Sequence, residues 1–418
     1  MIPATSSSSK GYDVAVAGGG PAGAALATFL AQKGHRCIVF EPLQFPRYHV
    51  GESLIPSSYG ILQRLGVVPA LQATTFPLKR SVRFISQDGN ESAPFYFTET
   101  TPGEGGATWQ VERSEFDRIL LEHAKQSGVE VSALKFVSNV LFENGTATGV
   151  VATDDAGVDV SIRAKVVVDA SGRACLIGNQ LGLKSDVPGL YKASVWGYYR
   201  GGQRLHGIDA GETTIIRTHC GGWFWYVPLP DDIVSVGIVA PPEYLFSRQY
   251  TKDELLGVEV AKCAPLAQRL ESAERIGSVR SLGRLAYYNR QTCGNGWVMI
   301  GDARIFLDPV YSSGLFLALS SAENAAECIH DALTAGDVSA SRLGRFEPAL
   351  SSGVDVIRRL IHAFYDPGFS FTEFVQRFPE HRPALIDCFV GDVLKDMNSF
   401  TGALARMTPP PAPLHTAA

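Results

Sequence analysis

The chain has 418 residues, 45% of them hydrophobic and 19% charged, with 37 Lys and Arg against 42 Asp and Glu for a formal charge of −5. A chain this long buries roughly 75% of its unfolded surface, so its core requires neither disulfides nor metal. The slightly acidic balance argues against nucleic acid or an anionic membrane as the main partner, since both are held through clustered Lys and Arg.

The first ten residues, Met1 to Lys10, are polar and Ser-rich, without the charged-then-apolar layout of a signal peptide. No apolar run approaches the roughly 20 residues that span a bilayer, so a soluble cytoplasmic protein is expected. The 7 cysteines are scattered and odd in number, with no Cys or His spacing that closes a zinc site. A reducing cytosol suits them, and no metal is expected.

An apolar strand, Tyr12 to Ala17, leads into Gly18-Gly19-Gly20-Pro21-Ala22-Gly23 and a helix-favouring run, Ala24 to Lys33. Gly34 stops that run, and a second strand around Cys37 to Phe40 ends at Glu41. A GxGxxG alone is weak evidence, because Gly-rich turns without ligands are common. Here Gly18, Gly20 and Gly23 sit between strand and helix with an acid close to 20 residues downstream, the full context of a dinucleotide fingerprint. Gly18 allows the tight turn, Gly20 lets the backbone approach a pyrophosphate, and Gly23 lets helix pack on strand. The helix N-terminus, entered through Pro21 and Ala22, offers free N–H groups to phosphate. Glu41 is placed to accept hydrogen bonds from an adenosine ribose.

Further along, Ser114 can cap a helix to about Gln126, closed by Gly128, with a strand over Val129 to Leu134. Val140 to Phe142, Thr146 to Thr153 and Val158 to Ile162 alternate like a small antiparallel meander, and Ala164 to Asp169 is a separate apolar strand running into Ala170-Ser171-Gly172-Arg173. The region Lys192 to Ala240 reads as β, with strands over Thr213 to Thr218, Trp223 to Val227 and Ile233 to Val239. Thr251 to Ala273 reads as a helix. A buried strand, Trp297 to Ile300, delivers Gly301-Asp302-Ala303, a long helix runs from Gly314 to Ala335, and the tail is mostly helical until Pro409 to Pro413.

With the Gly18 to Gly23 turn, the Asp169 to Gly172 strand end and Gly301-Asp302-Ala303 in place, the chain resembles the FAD enzymes that include aromatic hydroxylases and flavin-dependent halogenases, over most of its length to about residue 335. Three segments narrow the likeness. Phe45-Pro46-Arg47-Tyr48-His49-Val50-Gly51-Glu52-Ser53 is similar to a flavin-lining segment of the halogenases. Gly222-Trp223-Phe224-Trp225-Tyr226-Val227-Pro228 matches their GWxWxIP signature with Val227 for Ile. Asp308-Pro309-Val310-Tyr311-Ser312-Ser313-Gly314 looks like the DPVFSSG stretch of the phenol- and pyrrole-acting branch, with Tyr311 for Phe.

The resemblance implies an α/β fold: a discontinuous Rossmann-like FAD-binding domain of the aromatic-hydroxylase type (1–80, 109–190 and 278–335), an inserted, mainly antiparallel, substrate-facing β-layer (81–108 and 191–277), and a helical C-terminal region (336–418). It implies FAD, supplied reduced, held by the fingerprint residues with Arg47, Gly51, Glu52, Ser53, Arg113, Asp302, Pro309 and Gly314. A halide co-substrate is expected at the N–H groups of Ser313 and Gly314, where a Ser N-cap is the simpler reading of Ser312-Ser313-Gly314. Trp223 and Trp225 share one strand face, which suits core packing; in the family such a pair blocks space beside the flavin.

Lys79 carries the sharpest expectation. Lysine is seldom buried, so Phe76-Pro77-Leu78-Lys79-Arg80 read by itself suggests a solvated side chain. The halogenases keep a Lys between the GES segment and the next strand, and Lys79 lies there. Arg80 competes, but a guanidinium does not deprotonate to a nucleophilic amine. The implied reaction is halogenation of an electron-rich phenol or pyrrole, free or on a carrier protein. Hypohalous acid would reach Lys79, which either polarises it by hydrogen bonding or forms an N-haloamine. Tyr311 stands where tryptophan-type halogenases place Glu, which argues against an indole and leaves the general base unassigned, since the sequence places neither Glu52 nor His49. A single fingerprint implies a separate flavin reductase. An FAD aromatic hydroxylase is the alternative enzyme, and a flavin-binding protein without turnover the alternative class.

Overall fold

The computed structural model describes residues 11–132, 136–154, 156–247 and 250–414. The polar N-terminal decapeptide and the end of the strand expected over Val129 to Leu134 lie outside the described residues; of that strand, Glu130–Val131 is present.

The fold is mixed α/β with a Rossmann-like parallel sheet at its centre. Strand Tyr12–Ala17 pairs in parallel with Cys37–Phe40 on one side and with the second half of Asp159–Asp169 on the other; Trp297–Met299 extends the parallel order beyond. Val14, Ala15 and Val16 are fully buried: helices cover the face of Val14 and Val16, and strands Phe136–Glu143 and Thr146–Thr153 pack on the face of Ala15. Helix Pro21–Gln32 packs against the long helix Ser313–Ala335.

Asp159–Asp169 is one 11-residue strand, where two were expected. Its first half pairs antiparallel with Thr146–Thr153 and its second half joins the central sheet. Burial changes from mostly exposed to fully buried within that strand, and this shift in environment reads in sequence as a break. The helix expected over Thr251 to Ala273 divides at Cys263 into Lys252–Lys262 and Ala264–Arg269, because Pro265 cannot continue the first helix. Ser114 is not a cap: the helix Arg113–Gln126 already includes it, and its hydroxyl bonds to Glu112.

A second sheet of 7 strands is antiparallel except where Thr213–Arg217 runs parallel to Ser81–Ile85. Its strand Glu274–Leu282 crosses the boundary expected at residue 277. Period-2 alternation divides the faces. Phe224 and Tyr226 pack with Leu255, Leu256 and Leu266 beneath the helices, while Trp223, Trp225 and Val227 face the core shared with the parallel sheet. A separate two-stranded piece pairs Leu78–Lys79 with Thr108–Trp109. In the helical C-terminal region, helix Glu347–Tyr365 packs over the end of the molecule that carries Trp223. Among the described residues no helix is long and apolar enough to cross a membrane.

Candidate functional site

A cavity of about 860 Å³ runs from the Gly18–Ala22 turn, past Glu41 and the segment 47–53, to the Trp pair and the start of the long helix. At the turn, Gly18 has φ +107°, and a Cβ there would meet the Ala170 carbonyl at 2.4 Å. A Cβ on Gly23 would lie 1.9 Å from the Gly18 carbonyl, so Gly23 serves the close packing of helix on strand and stays off the cavity wall. Gly20, Pro21 and Ala22 line the cavity.

Glu41 Oε2 accepts from the Gly19 N–H at 2.9 Å and Oε1 from the Leu43 N–H at 3.1 Å. A carboxylate has further lone pairs, so these bonds orient it without closing it to a ribose. Arg113 donates two hydrogen bonds to Asp117, at 2.8 and 3.0 Å, and one to the Val50 carbonyl at 2.8 Å, clamping the 47–53 segment to its own helix. Arg47 Nη1 lies 3.1 Å from Asp117 yet is buried without a hydrogen bond among the described residues. A buried guanidinium nitrogen left over beside a Gly-lined helix N-terminus fits a phosphate-bearing ligand. The long cavity, its glycine turn and this donor together fit an FAD-sized dinucleotide.

Asp302 lines the same cavity, its carboxyl raised to about 6 by burial against the opposing pull of Arg173 and Arg113. Gly51 has φ +103° and lines the wall with Glu52. Glu52 accepts from the Tyr198 hydroxyl at 2.6 Å and from Ser235 at 3.3 Å, and burial raises its carboxyl. Burial likewise pushes His49 down to about 4, so it is neutral near pH 7, and its Nδ1 must carry the proton it donates to the Val50 carbonyl.

At the far end, both indole N–H groups are bonded: Trp223 to the Tyr365 hydroxyl at 2.8 Å and Trp225 to Ser235 at 3.0 Å. Asp308 accepts from Tyr365 at 2.8 Å and from the Val310 N–H at 3.0 Å, and burial raises it to about 7. Ser312 has φ +56° and makes no side-chain cap, so the simple Ser N-cap is absent; Asp308 instead caps the short turn before it. The N–H groups of Ser313 and Gly314 have no acceptor among the described residues. Pro309 and Gly314 line the cavity, whereas Ser313 is buried behind it.

Lys79 is the strongest departure from ordinary lysine behaviour. The short strand turns Leu78 outward, 44% exposed, and Lys79 inward, 2% exposed. This inverts the usual placement of an apolar and a charged residue. Its Nζ donates to Ser53 Oγ at 2.9 Å and to the Leu54 carbonyl at 3.2 Å, with the Phe97 ring centroid at 5.5 Å. Burial, with no carboxylate partner among the described residues, lowers its amine to about 7. Ser53 lines the cavity and Lys79 sits behind it. Sequence reasoning missed Thr213, Ser235, Tyr198, Arg173 and Tyr365, whose roles arise only when distant strands and helices meet.

Residues 13–107 and 100–368 match the family model described as tryptophan halogenase. A 1H-pyrrole-2-carbonyl peptidyl-carrier-protein chlorinase from Pseudomonas fluorescens is 32% identical over 412 residues, spanning 91% of this chain and 89% of the relative. The corresponding brominase from Pseudoalteromonas luteoviolacea is 32% identical over 332 residues, spanning 78% and 79%. The flavin-dependent brominase Bmp2 superposes with a TM-score of 0.86 at 28% identity over 95% of this chain and 99% of that one, and the myxobacterial chondrochloren halogenase CndH with 0.80 at 29% over 97% and 98%.

Proposed function

The chain belongs to the flavin-dependent halogenases, and from that membership we propose that it halogenates a pyrrole or phenol ring held on a carrier protein, working with a separate flavin reductase in the cytoplasm. It is an FADH2-dependent enzyme with halide as co-substrate. The observation that carries the reading is the buried Lys79 amine, held by Ser53 on the wall of the same cavity that receives the fingerprint turn. A hydroxylase has no use for it.

Bound reduced FAD supplies the reaction of oxygen with halide that yields hypohalous acid. The remaining work belongs to the chain. Gly18 and Gly20 shape the pyrophosphate site, Glu41 takes the ribose, and Arg47, the 51–53 segment, Asp302 and Pro309 line the path of the flavin. Arg113 orders that segment through Asp117 and Val50. The free N–H groups at Ser313 and Gly314 hold the halide, at the positive end of a 23-residue helix. Trp223 and Trp225, fixed by Tyr365 and Ser235, fill the space beside the site and keep the ring from direct oxygenation. The seven-stranded sheet is thus the substrate-facing layer, with the region beyond residue 335 as its cover. Lys79 receives hypohalous acid and confines its reactivity to the bound ring.

The carrier tether is supported by the two pyrrole-acting relatives, which match over most of their length, and an indole is disfavoured by Tyr311, buried against Phe364 and Phe389. The test is intact-mass analysis of pyrrolyl and phenolic substrates, free and carrier-loaded, with a flavin reductase and each halide in turn. Halide-dependent mass gain on the carrier-loaded pyrrole supports the proposal; gain only on free substrate overturns the tether.

A further inference from the structure

Lys79 lies behind the cavity wall, against a pair of wall hydroxyls. Ser53 and Thr213 both stand on the wall, with their oxygens 3.1 Å apart, and Lys79 Nζ lies 2.9 Å from Ser53 Oγ. The direction of the bonds follows from the neighbours. Gln110 Nε2 lies 2.8 Å from the Gly211 carbonyl and 2.8 Å from Thr213 Oγ1. A carbonyl only accepts, so the amide must present its NH2 here, and both of its hydrogens are used. Thr213 Oγ1 therefore accepts from Gln110, and Ser53 Oγ accepts from Lys79. One hydroxyl proton joins Ser53 to Thr213, and the other has no acceptor among the described residues except what enters the cavity. Whichever hydroxyl faces inward, the pair connects the buried amine to that space. Behind the amine, the Leu54 carbonyl and the Phe97 ring close the remaining sides.

We infer that Lys79 acts through the Ser53–Thr213 hydroxyl pair as a proton relay, giving a proton to the oxygen of hypohalous acid as halogen transfers to the ring and taking the ring proton back afterwards. This rests on the halogenase function proposed above. As the carbon–halogen bond forms, the halogen–oxygen bond breaks and its electron pair stays on oxygen. That oxygen takes a proton from the relay hydroxyl, which takes one from the Lys79 ammonium, and water leaves. The ring then loses its proton to the same hydroxyl and on to the neutral amine, restoring the start. The sum is ring C–H plus hypohalous acid giving ring C–halogen plus water. No nitrogen–halogen bond forms, and no separate carboxylate base is needed. An amine that burial holds near neutrality exchanges its proton in both directions at little cost.

The test compares Ser53→Ala, Thr213→Val and Thr213→Ser in the FAD-loaded enzyme with reductase, halide and substrate, measuring flavin content, oxygen uptake, product, and hypohalous acid captured by a diffusible phenol. Thr213→Val is expected to keep FAD and oxygen uptake while releasing hypohalous acid to the trap, and Ser53→Ala to lose product, per flavin bound, by about 100-fold or more. Thr213→Ser should keep more activity than Thr213→Val, since it retains the hydroxyl. If Ser53→Ala fails to fold or to bind FAD, the Thr213 pair decides: equal activity of Val and Ser overturns the relay. Wild-type product yield in Ser53→Ala, or a halogen found on Lys79 by mass analysis of quenched enzyme, also overturns it while leaving the halogenase function intact. Absence of halide-dependent product from the wild type overturns that function itself.

Discussion

Trp223 Nε1 donates to the Tyr365 hydroxyl at 2.8 Å, tying the cavity-facing strand to the last residue of helix Glu347–Tyr365. The same hydroxyl donates to Asp308 at 2.8 Å, so one phenol satisfies a buried indole N–H and a buried carboxylate. Tyr365→Phe strands both. The variant should be less stable by about 1–3 kcal/mol, read as a lower urea midpoint with an unchanged slope. An unchanged midpoint would show that the bonds add nothing net.

At the other end of the cavity, Gly20→Val should give a folded protein without flavin. A Cβ at this position lies 3.2 Å from Arg47 Nη2 on the wall where pyrophosphate is proposed to sit, and a branched side chain fills that approach. The absorbance of the purified variant checks it, with circular dichroism confirming the fold. Normal flavin content contradicts the assignment of this turn.

What could be read from sequence was local. The strand, glycine turn, helix and acid at 12–41 lie within one supersecondary unit, and the Asp308 to Gly314 stretch is continuous, so residue spacing alone brings those groups together. The Ser53–Thr213 and Glu52–Ser235 bonds span 160 and 183 positions. No periodicity announces them, because they depend on how the 51–53 segment docks on the seven-stranded sheet. Lys79 lies between these cases. Its inward direction follows from strand alternation, but Leu78 on the outward side makes the local pattern read as its reverse. Ser114 and Ser312 failed as caps for a local reason: one lies inside the first turn of its helix and the other takes a left-handed φ.

Removing one amide from the start of the long helix should weaken halide binding alone. Gly314→Pro deletes an N–H that has no acceptor among the described residues, and a Cβ at this position would meet Phe306 at 3.9 Å. The concentration of halide giving half-maximal turnover should rise while flavin content stays at the wild-type level. An unchanged halide dependence removes this helix end from the site.

Lys79 also leaves a signature in stability. Its folded pKa of about 7 lies below the ordinary 10.5, so between these values the unfolded chain binds a proton that the folded chain does not. Stability linked to this group therefore rises with pH across that window, and the destabilisation from burying the charge is complete below it. Lys79→Met should flatten this rise and, near about pH 6, narrow or reverse the stability gap to wild type by an amount on the order of a few kcal/mol. Urea titrations on both sides of the window check it. Parallel pH profiles for the two proteins contradict a displaced lysine.

The most direct test of the account follows oxygen uptake and intact product mass together, for wild type and Lys79→Ala, with FAD, a flavin reductase and carrier-loaded pyrrole, in the presence and absence of halide. The wild type should replace ring hydrogen with halogen only when halide is present. Lys79→Ala should still bind FAD and consume oxygen, yet form no halogenated product and release hypohalous acid or peroxide instead. Halogenation by Lys79→Ala at the wild-type rate, or a hydroxylated ring formed by the wild type without halide, would contradict the account.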